Sequence, residues 1–358
     1  MSIFSLKPDP VVGIDISSTA VKLLELSRVG KGYKVETYGI EPLPDKAIED
    51  KNITESGIEI VGDAISRLIK RTSPRSQYVA VAVAGPSVIT KIISMDGGMS
   101  DNDMKELIES DPTTYFGQEL DEIKFDFQVI GPNEKEPEKV DVLLAAVRTE
   151  TLEQRESVLD LANLKAKVVD IEKYALENAL IKVAQNDPEI NDNEIIALVE
   201  VGATTTTINV LAEKKIVYTH EDQMFGGRQL TEQIQGHYGL SYEEANLAKR
   251  NGGLPEDYES AVLQPFKEEM AQQISRMVQF YYAAASYGTL SHVLIAGGCA
   301  SIPGIIDEIN KKVGGHVSII NPFVGMSIAA RVSKKALMND APALMIAYGL
   351  ALRTFDEY

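Results

Sequence analysis

The chain has 358 residues, 44% hydrophobic and 25% charged, long enough for two or more domains with sizeable cores. Its formal net charge of −18 argues against nucleic acid and against direct electrostatic adhesion to anionic lipid. One cysteine, Cys299, excludes an intrachain disulfide, and no apolar run approaches the ~20 residues that cross a bilayer, so a cytoplasmic protein meeting membranes only through protein partners is expected. Met1–Asp9 has neither the apolar core nor the cleavage site of a secretory signal. Val11 to Ser17 then reads as a buried strand, with β-branched Val11, Val12, Ile14 and Ile16 around Asp15. Ser17-Ser18-Thr19 is a turn, and Val21 to Leu26 resumes the apolar pattern. A carboxylate in such a strand is costly unless paired, hydrogen-bonded or joined to a cation through water. Beside a hydroxyl-lined turn it suits a phosphate chain with Mg²⁺: the turn holds phosphate oxygens and Asp15 orders the metal's waters. An ordinary hairpin with an acid near its end gives the same pattern.

Tyr33 to Ile40 reads as a third strand, Tyr33, Val35 and Thr37 on one face and Tyr38 and Ile40 on the other. Ile58, Val61, Ile65, Leu68 and Ile69 recur at helical spacing, and Tyr78 to Ala84 is a central strand. Then follow a strand over 89–95, a helix capped by Ser100 and Asp103, strands over 123–130 and 140–147, and a helix over 151–163 bearing Leu152, Leu159 and Ala162. This makes a compact insert of about 80 residues. Val168 to Glu172 leads into a helix with Leu176, Leu180 and Val183, and the polar run 186–193 is the best hinge candidate. Beyond it the opening pattern returns: Ile195 to Leu211 is again strand, small hydroxyl-rich turn, strand, with Glu200 matching Asp15 and Gly202 to Thr204 matching Ser17 to Thr19. Two such units facing each other across a hinge could clasp phosphates from both sides; two apolar hairpins alike by chance are the competing explanation. A strand over 216–220 follows, then a helix opened by Gly226-Gly227 and another with a Ser241/Glu244 capping box. A long helix carries Phe266, Met270, Ile274, Met277, Tyr281 and Ala284, with Pro265 near its start. A strand over 292–296 runs into Gly297-Gly298, and a last helix starts at Pro342. The four histidines, His220, His237, His292 and His316, lack metal-ligand spacing, so no zinc site is expected.

The turns GIDISSTAVK and EVGATTTT, the AGGCA turn at 296–300 and a hinge between the halves together resemble the actin-like ATPase superfamily. Within it, VVGIDISSTAVKLLELS, VDVLLAAV, KVVDIEKYALENAL, FGGRQLTEQI, LIAGGCASIPG, NPFVGM and DAPALMIAYGLALR resemble the PilM family of type IV pilus assembly, over essentially the whole chain. The resemblance implies an α/β actin-like ATPase fold: two lobes around a nucleotide cleft, with a small α+β subdomain inserted in the first lobe. The first lobe would take 8–85, 166–193 and 340–358, the insert 86–165, the second lobe 194–225 and 288–339, and its subdomain 226–287. It further implies a scaffold that binds ATP with Mg²⁺ and grips the cytoplasmic N-terminal tail of a membrane-anchored pilus protein, PilN. The tail would lie in a groove between first lobe and insert, lined by apolar residues of the insert's strands and of the helix after Glu172. Other pilus proteins and self-association are further partners it allows.

On this resemblance Asp15 organises the metal, with Glu200 acting through water. Ser17, Ser18, Thr19 and Lys22 meet phosphate at the first turn, and Gly202, Ala203, Thr204 and Thr205 at the second. Gly227, Glu232 and Lys249 are candidates for sugar or base, and Gly297 and Gly298 neighbour the base. Glu172, after the insert, is the one candidate to orient a hydrolytic water; a helix N-terminal acid is its plain alternative. Ser17 and Glu200 stand where superfamily members usually have Gly and Asp, which bears on turnover more than on binding. A metabolic kinase on the same fold would need a general base between the lobes, and none stands out. A filament-forming cell-division protein would favour a C-terminal amphipathic anchor, and Ala351–Tyr358 is short and acidic.

Overall fold

The computed structural model describes residues 10–30, 32–191, 193–284 and 287–355. Met1–Asp9, the last three residues of the tail and one residue of the hinge candidate lie outside the described residues.

The first sheet forms from β1 (Val12–Ser17), β2 (Ala20–Val29) and β3 (Gly32–Pro42), an antiparallel meander. A small hairpin, β4 (Ile48–Glu49) and β5 (Asn52–Ile53), precedes α1 (Gly57–Thr72) and β6 (Tyr78–Val83). The insert holds β7 (Val88–Asp96), α2 (Asp101–Ser110), α3 (Pro112–Phe116), β8 (Ile123–Pro132) and β9 (Lys139–Arg148). The chain returns through α4 (Thr149–Leu161), β10 (Lys165–Ile171) and α5 (Glu172–Asn186). β6 and β10 add in parallel beside β1; β6, inside the sheet, is a near-continuous apolar run covered on both faces, while β10, at the edge, keeps Lys165, Lys167 and Val169 exposed.

The second sheet repeats the plan with β11 (Ile196–Val201), β12 (Thr206–Ala212) and β13 (Lys215–Asp222) antiparallel. Then come α6 (Gly227–Tyr238), α7 (Tyr242–Asn251) and α8 (Gln264–Ala284). β14 (His292–Ala296) pairs in parallel with β11, and β15 (His316–Ile319), after α9 (Ile305–Val313), with β14. The chain closes with β16 (Ser327–Ile328), α10 (Lys334–Asp340) and α11 (Met345–Leu352). All eight residues of α11 are buried, as an all-round apolar helix requires. It lies with α5 in one core that joins Leu24 and Ala80 of the first sheet to Leu198 and Leu294 of the second.

Several expectations are corrected. α4 is expected within the insert, yet its Val158 and Leu159 pack with Ile14 and Ile65 in the first-lobe core, while Met104, Ile108, Val142 and Leu144 form the insert's own. Ser327–Ile328, expected in the second lobe, pairs with β3 of the first sheet. In β3 the faces differ from simple alternation. A bulge at Glu36, between the pairs Glu25↔Thr37 and Leu26↔Val35, puts Tyr33, Val35, Tyr38 and Ile40 on the same core. Thr37 points the other way and donates to the carbonyl of Thr72 on α1. The long helix is entered through a π-helical turn at Glu259–Leu263, so Pro265, which has no N–H to give, follows a widened turn. Its Ala284 is exposed, beyond the buried stripe. Among the described residues no helix is long and apolar enough to cross a membrane.

Candidate functional site

Both hairpin turns open on one cavity of about 830 Å³, within the size range of small-molecule sites. Ser17, Ser18, Thr19 and Lys22 line it from the first sheet, and Glu200, Gly202, Ala203, Thr204 and Thr205 from the second. Gly297, Gly298 and Cys299 close a third side, with Gly227, Lys249 and Glu172 also in the wall. The first turn is tight: Ser17 and Ala20 pair across a two-residue loop, and the Ser17 hydroxyl donates to the Ala20 carbonyl at 2.9 Å. The second is wider, Gly202–Thr205, closed by the Gly202 N–H on the Thr205 carbonyl at 2.9 Å. The N–H groups of Gly227 and Arg228, at the start of α6, donate to the carbonyls of Gly202 and Ala203 and brace that turn from behind. Gly297 has φ +85°, and a Cβ there would fall 2.2 Å from the Val201 carbonyl oxygen, so only glycine lets the third turn close on the second.

The repeat is broken at its acids. Asp15 and Lys22 are cross-strand partners, and their carboxylate and ammonium meet at 2.8 Å. Asp15 is 1% exposed and is not part of the cavity wall; Lys22 is the group presented there. Asp15, the expected metal-organising acid, thus stands behind Lys22. Burial disfavours the Lys22 charge, but the Asp15 carboxylate outweighs it and the ammonium stays charged well into alkaline pH. Glu200 faces Thr207 across its own hairpin and has no such cation. Burial first, then the nearby carboxylate of Glu172, lifts its carboxyl to about 7, with Lys22 pulling the other way and Asp15 adding to the rise.

That shift has a sign. A carboxyl raised in the folded state favours folding when protonated, and the contribution is lost as pH rises through its folded value. Glu200→Gln is therefore expected to stabilise chelator-treated protein at about pH 8 by on the order of 2 kcal/mol, read as a higher melting temperature, with the gain fading towards about pH 5. Thermal melts across that range check it; a gain equal at both ends would mean that Glu200 is ionised throughout.

Lys51 and Arg155 join the site without having stood out in the sequence. Lys51 pairs with Glu172 at 2.8 Å, so the hydrolysis candidate carries an ion pair. It sits at the tip of the β4–β5 hairpin, where Asp50 and Lys51 both take left-handed conformations, φ +46° and +65°, without a glycine. Arg155 is 3% exposed and forms part of the cavity wall. Its Nε donates to the Ala82 carbonyl at 3.2 Å and its Nη2 to the Lys51 carbonyl at 3.1 Å. Burial pushes its guanidinium down to about 10, opposed by Glu172 and Asp15. One signal could have found it: with Thr151, Val158, Leu159 and Ala162 it lies on the buried face of its helix, where a lone cation is out of place. Lys51 leaves no local mark.

Of the sugar and base candidates on α6 and α7, Lys249 lies in the cavity wall and Glu232 does not. Glu232 is outside the cavity wall and pairs with Arg228 at 3.1 Å on the α6 surface. Arg228 instead reaches the cavity, where it meets Asp45 of the first lobe at 3.0 Å and stacks over Tyr242. Lys249 is in the wall, but its ammonium donates to Thr231 Oγ1 at 2.6 Å and the Gly227 carbonyl at 3.2 Å. Cys299 is buried, which pushes its thiol up to about 11 and leaves it unreactive.

No three ligating side chains converge as a metal cage among the described residues. One or two carboxylates beside turns of N–H and hydroxyl donors fit a hard divalent cation that takes its other ligands from phosphate oxygens and water.

Two pseudo-repeated sheets, each opening with a hairpin whose turn faces a shared cavity, define the actin-like ATPase fold. The chain superposes on a chain of the "PilM-PilN type IV pilus biogenesis complex" with a TM-score of 0.77 and 22% identity, covering 97% of this chain and 99% of the other. It also superposes on the ethanolamine utilization protein EutJ from Carboxydothermus hydrogenoformans with a TM-score of 0.55 and 18% identity, covering 98% and 91%. The family described as type IV pilus assembly protein PilM matches residues 13–355, and the chain belongs to that family.

Proposed function

We propose that the chain is an ATP-binding scaffold of the type IV pilus inner-membrane complex, holding the cytoplasmic N-terminal tail of a membrane-anchored, PilN-like protein. The observation that carries the nucleotide half is the convergence of the Ser17–Thr19, Gly202–Thr205 and Gly297–Gly298 turns on one cavity, with Lys22 and Lys51 in its wall. Donor-rich turns and ammonium groups hold a phosphate chain, and Mg²⁺ would sit against Glu200 and the phosphates with Asp15 behind. The partner half rests on family membership and on the insert. Ile92 and Leu143 are cross-strand partners on the sheet face opposite the insert's core, and Ile92 is 62% exposed. Thr90, on that same face, lies near enough to Tyr174 of α5 to act on its phenol, which burial pushes up and Thr90 draws down, so the face opens beside the helix after Glu172. An extended or helical tail with apolar anchors fits there.

The test is a fluorescence-anisotropy titration of the full chain with a labelled tail peptide from the partner, with and without Mg-ATP. Saturable binding that shifts with nucleotide is expected, because a ligand between lobes favours one lobe arrangement. No binding in either condition would sink the scaffold reading.

A further inference from the structure

Arg155 has three hydrogen-bonding nitrogens and uses two. Its Nε and Nη2 hold the carbonyls of Ala82 and Lys51, while Nη1 is buried without a hydrogen-bond partner. A shielded cationic donor with nothing to bond is a costly arrangement that persists where something arrives to complete it. The side chain forms part of the wall of the same cavity as Lys22, Lys51 and Glu172. Its neighbours are built around that position. The Lys51 carbonyl it grips belongs to the left-handed hairpin tip whose ammonium is on Glu172, so the guanidinium holds the backbone of the turn from which Lys51 reaches Glu172.

We propose that Arg155 reads the terminal phosphoryl group of a bound nucleoside triphosphate: an anionic phosphoryl oxygen completes Nη1, and the guanidinium passes the difference between tri- and diphosphate to the insert. This rests on the nucleotide reading of the cleft. The guanidinium fork suits the task, because two nitrogens stay on protein carbonyls while a third meets phosphate. The route outward is short. α4, which carries Arg155, begins directly after the last insert strand, and Thr149 at its first turn is tied to the insert by its N–H on the Glu122 carbonyl at 2.9 Å and its hydroxyl on the Asp121 carbonyl at 3.2 Å. A change at Nη1 thus reaches the sheet that presents Ile92 through one helix.

The experiment compares the full-length wild type, Arg155→Lys and Arg155→Met by competition of Mg-ATP and Mg-ADP against a fluorescent nucleotide, with melting of the nucleotide-free protein as the control for folding. The wild type is expected to prefer Mg-ATP by about tenfold or more, the worth of one charge-assisted hydrogen bond. Both variants are expected to lose that preference while Mg-ADP affinity stays within about twofold. Tail-peptide affinity in the variants should then no longer differ between the two nucleotides. An unchanged ATP/ADP ratio in the folded variants overturns the proposal. So does an equal loss of both nucleotides, or a failure of both variants to fold, since either makes Arg155 structural only. A wild type that binds neither nucleotide is a different result and removes the cleft reading itself.

Discussion

Replacing Asp15 by alanine is expected to weaken Mg-ATP binding at least about tenfold and to destabilise the fold by roughly 3 kcal/mol. Both effects come from one ion pair. Asp15 is 1% exposed and its partner is the Lys22 ammonium at 2.8 Å, whose side chain is 14% exposed. Removing the acid leaves a mostly buried ammonium without its counter-charge, and breaking a buried pair on one side costs more than the pair contributes. It also frees Lys22, the cation in the cavity wall, from the position where the first turn needs it, and removes a negative charge from beside the expected metal. The loss should therefore be larger with Mg²⁺ than without it. Asp15→Asn keeps the shape and some of the hydrogen bonding and is expected to fall between. Calorimetric titration of ATP with and without Mg²⁺, beside a denaturant melt, separates the two effects. Wild-type affinity in a destabilised Asp15→Ala protein would show that the pair is only structural.

The Asp15–Lys22 pair is legible in the amino-acid order. A hairpin turning at Ser18-Thr19 pairs Asp15 with Lys22 by counting, because strand register fixes which residues share a face. Counting does not reveal that the pair excludes Asp15 from the cavity. The two hairpins, the Gly-Gly turn and the capping boxes at Ser100 and Ser241 are readable for the same reason: each is local, set by β-branched runs, small turn residues and cap chemistry within a few positions. The misses are non-local. The Glu36 bulge is held by Ser27, Lys34 and Arg75, the last 39 positions away. Lys51 meets Glu172 across 121 positions, and Arg155 finds its carbonyls 73 and 104 positions back. α4 looks like part of the insert because it follows it in sequence, but a helix goes where its buried face fits, and that face matches α1. Glu232 stays outside the cavity wall because it lies one turn further along α6 from Arg228 and pairs with it there; a helix start reveals which residues are near a turn, not which of them reach into it.

Gly349→Ala is expected to destabilise the chain by about 3 kcal/mol or more, although it adds one methyl group to a helix that is otherwise a good former. A Cβ at Gly349 would lie 1.9 Å from the carbonyl oxygen of Ala175 and 2.6 Å from its carbonyl carbon. Those are backbone atoms of α5, and no side chain can turn aside to make room. On its other flank α11 is pressed against β1, where a Cβ at Gly13 would lie 2.3 Å from the Ala347 carbonyl oxygen. The helix cannot retreat from α5 without meeting the central strand, so the helix pair or the sheet must open. Gly236 is the control: it lies inside α6 with nothing within 4 Å of its Cβ position. Gly236→Ala should be neutral or stabilising by about 0.5–1 kcal/mol through helix propensity alone. The same substitution thus has opposite signs at two helical glycines, and thermal or denaturant melts of both variants read the difference. A further consequence separates packing loss from mere instability. α5 starts at Glu172, on the cavity wall, so pushing Ala175 away from α11 moves the acid that holds Lys51. A Gly349→Ala protein kept folded at low temperature should bind nucleotide more weakly than wild type under the same conditions. If it binds equally well, the α5–α11 contact supports the fold without setting the geometry of the cleft.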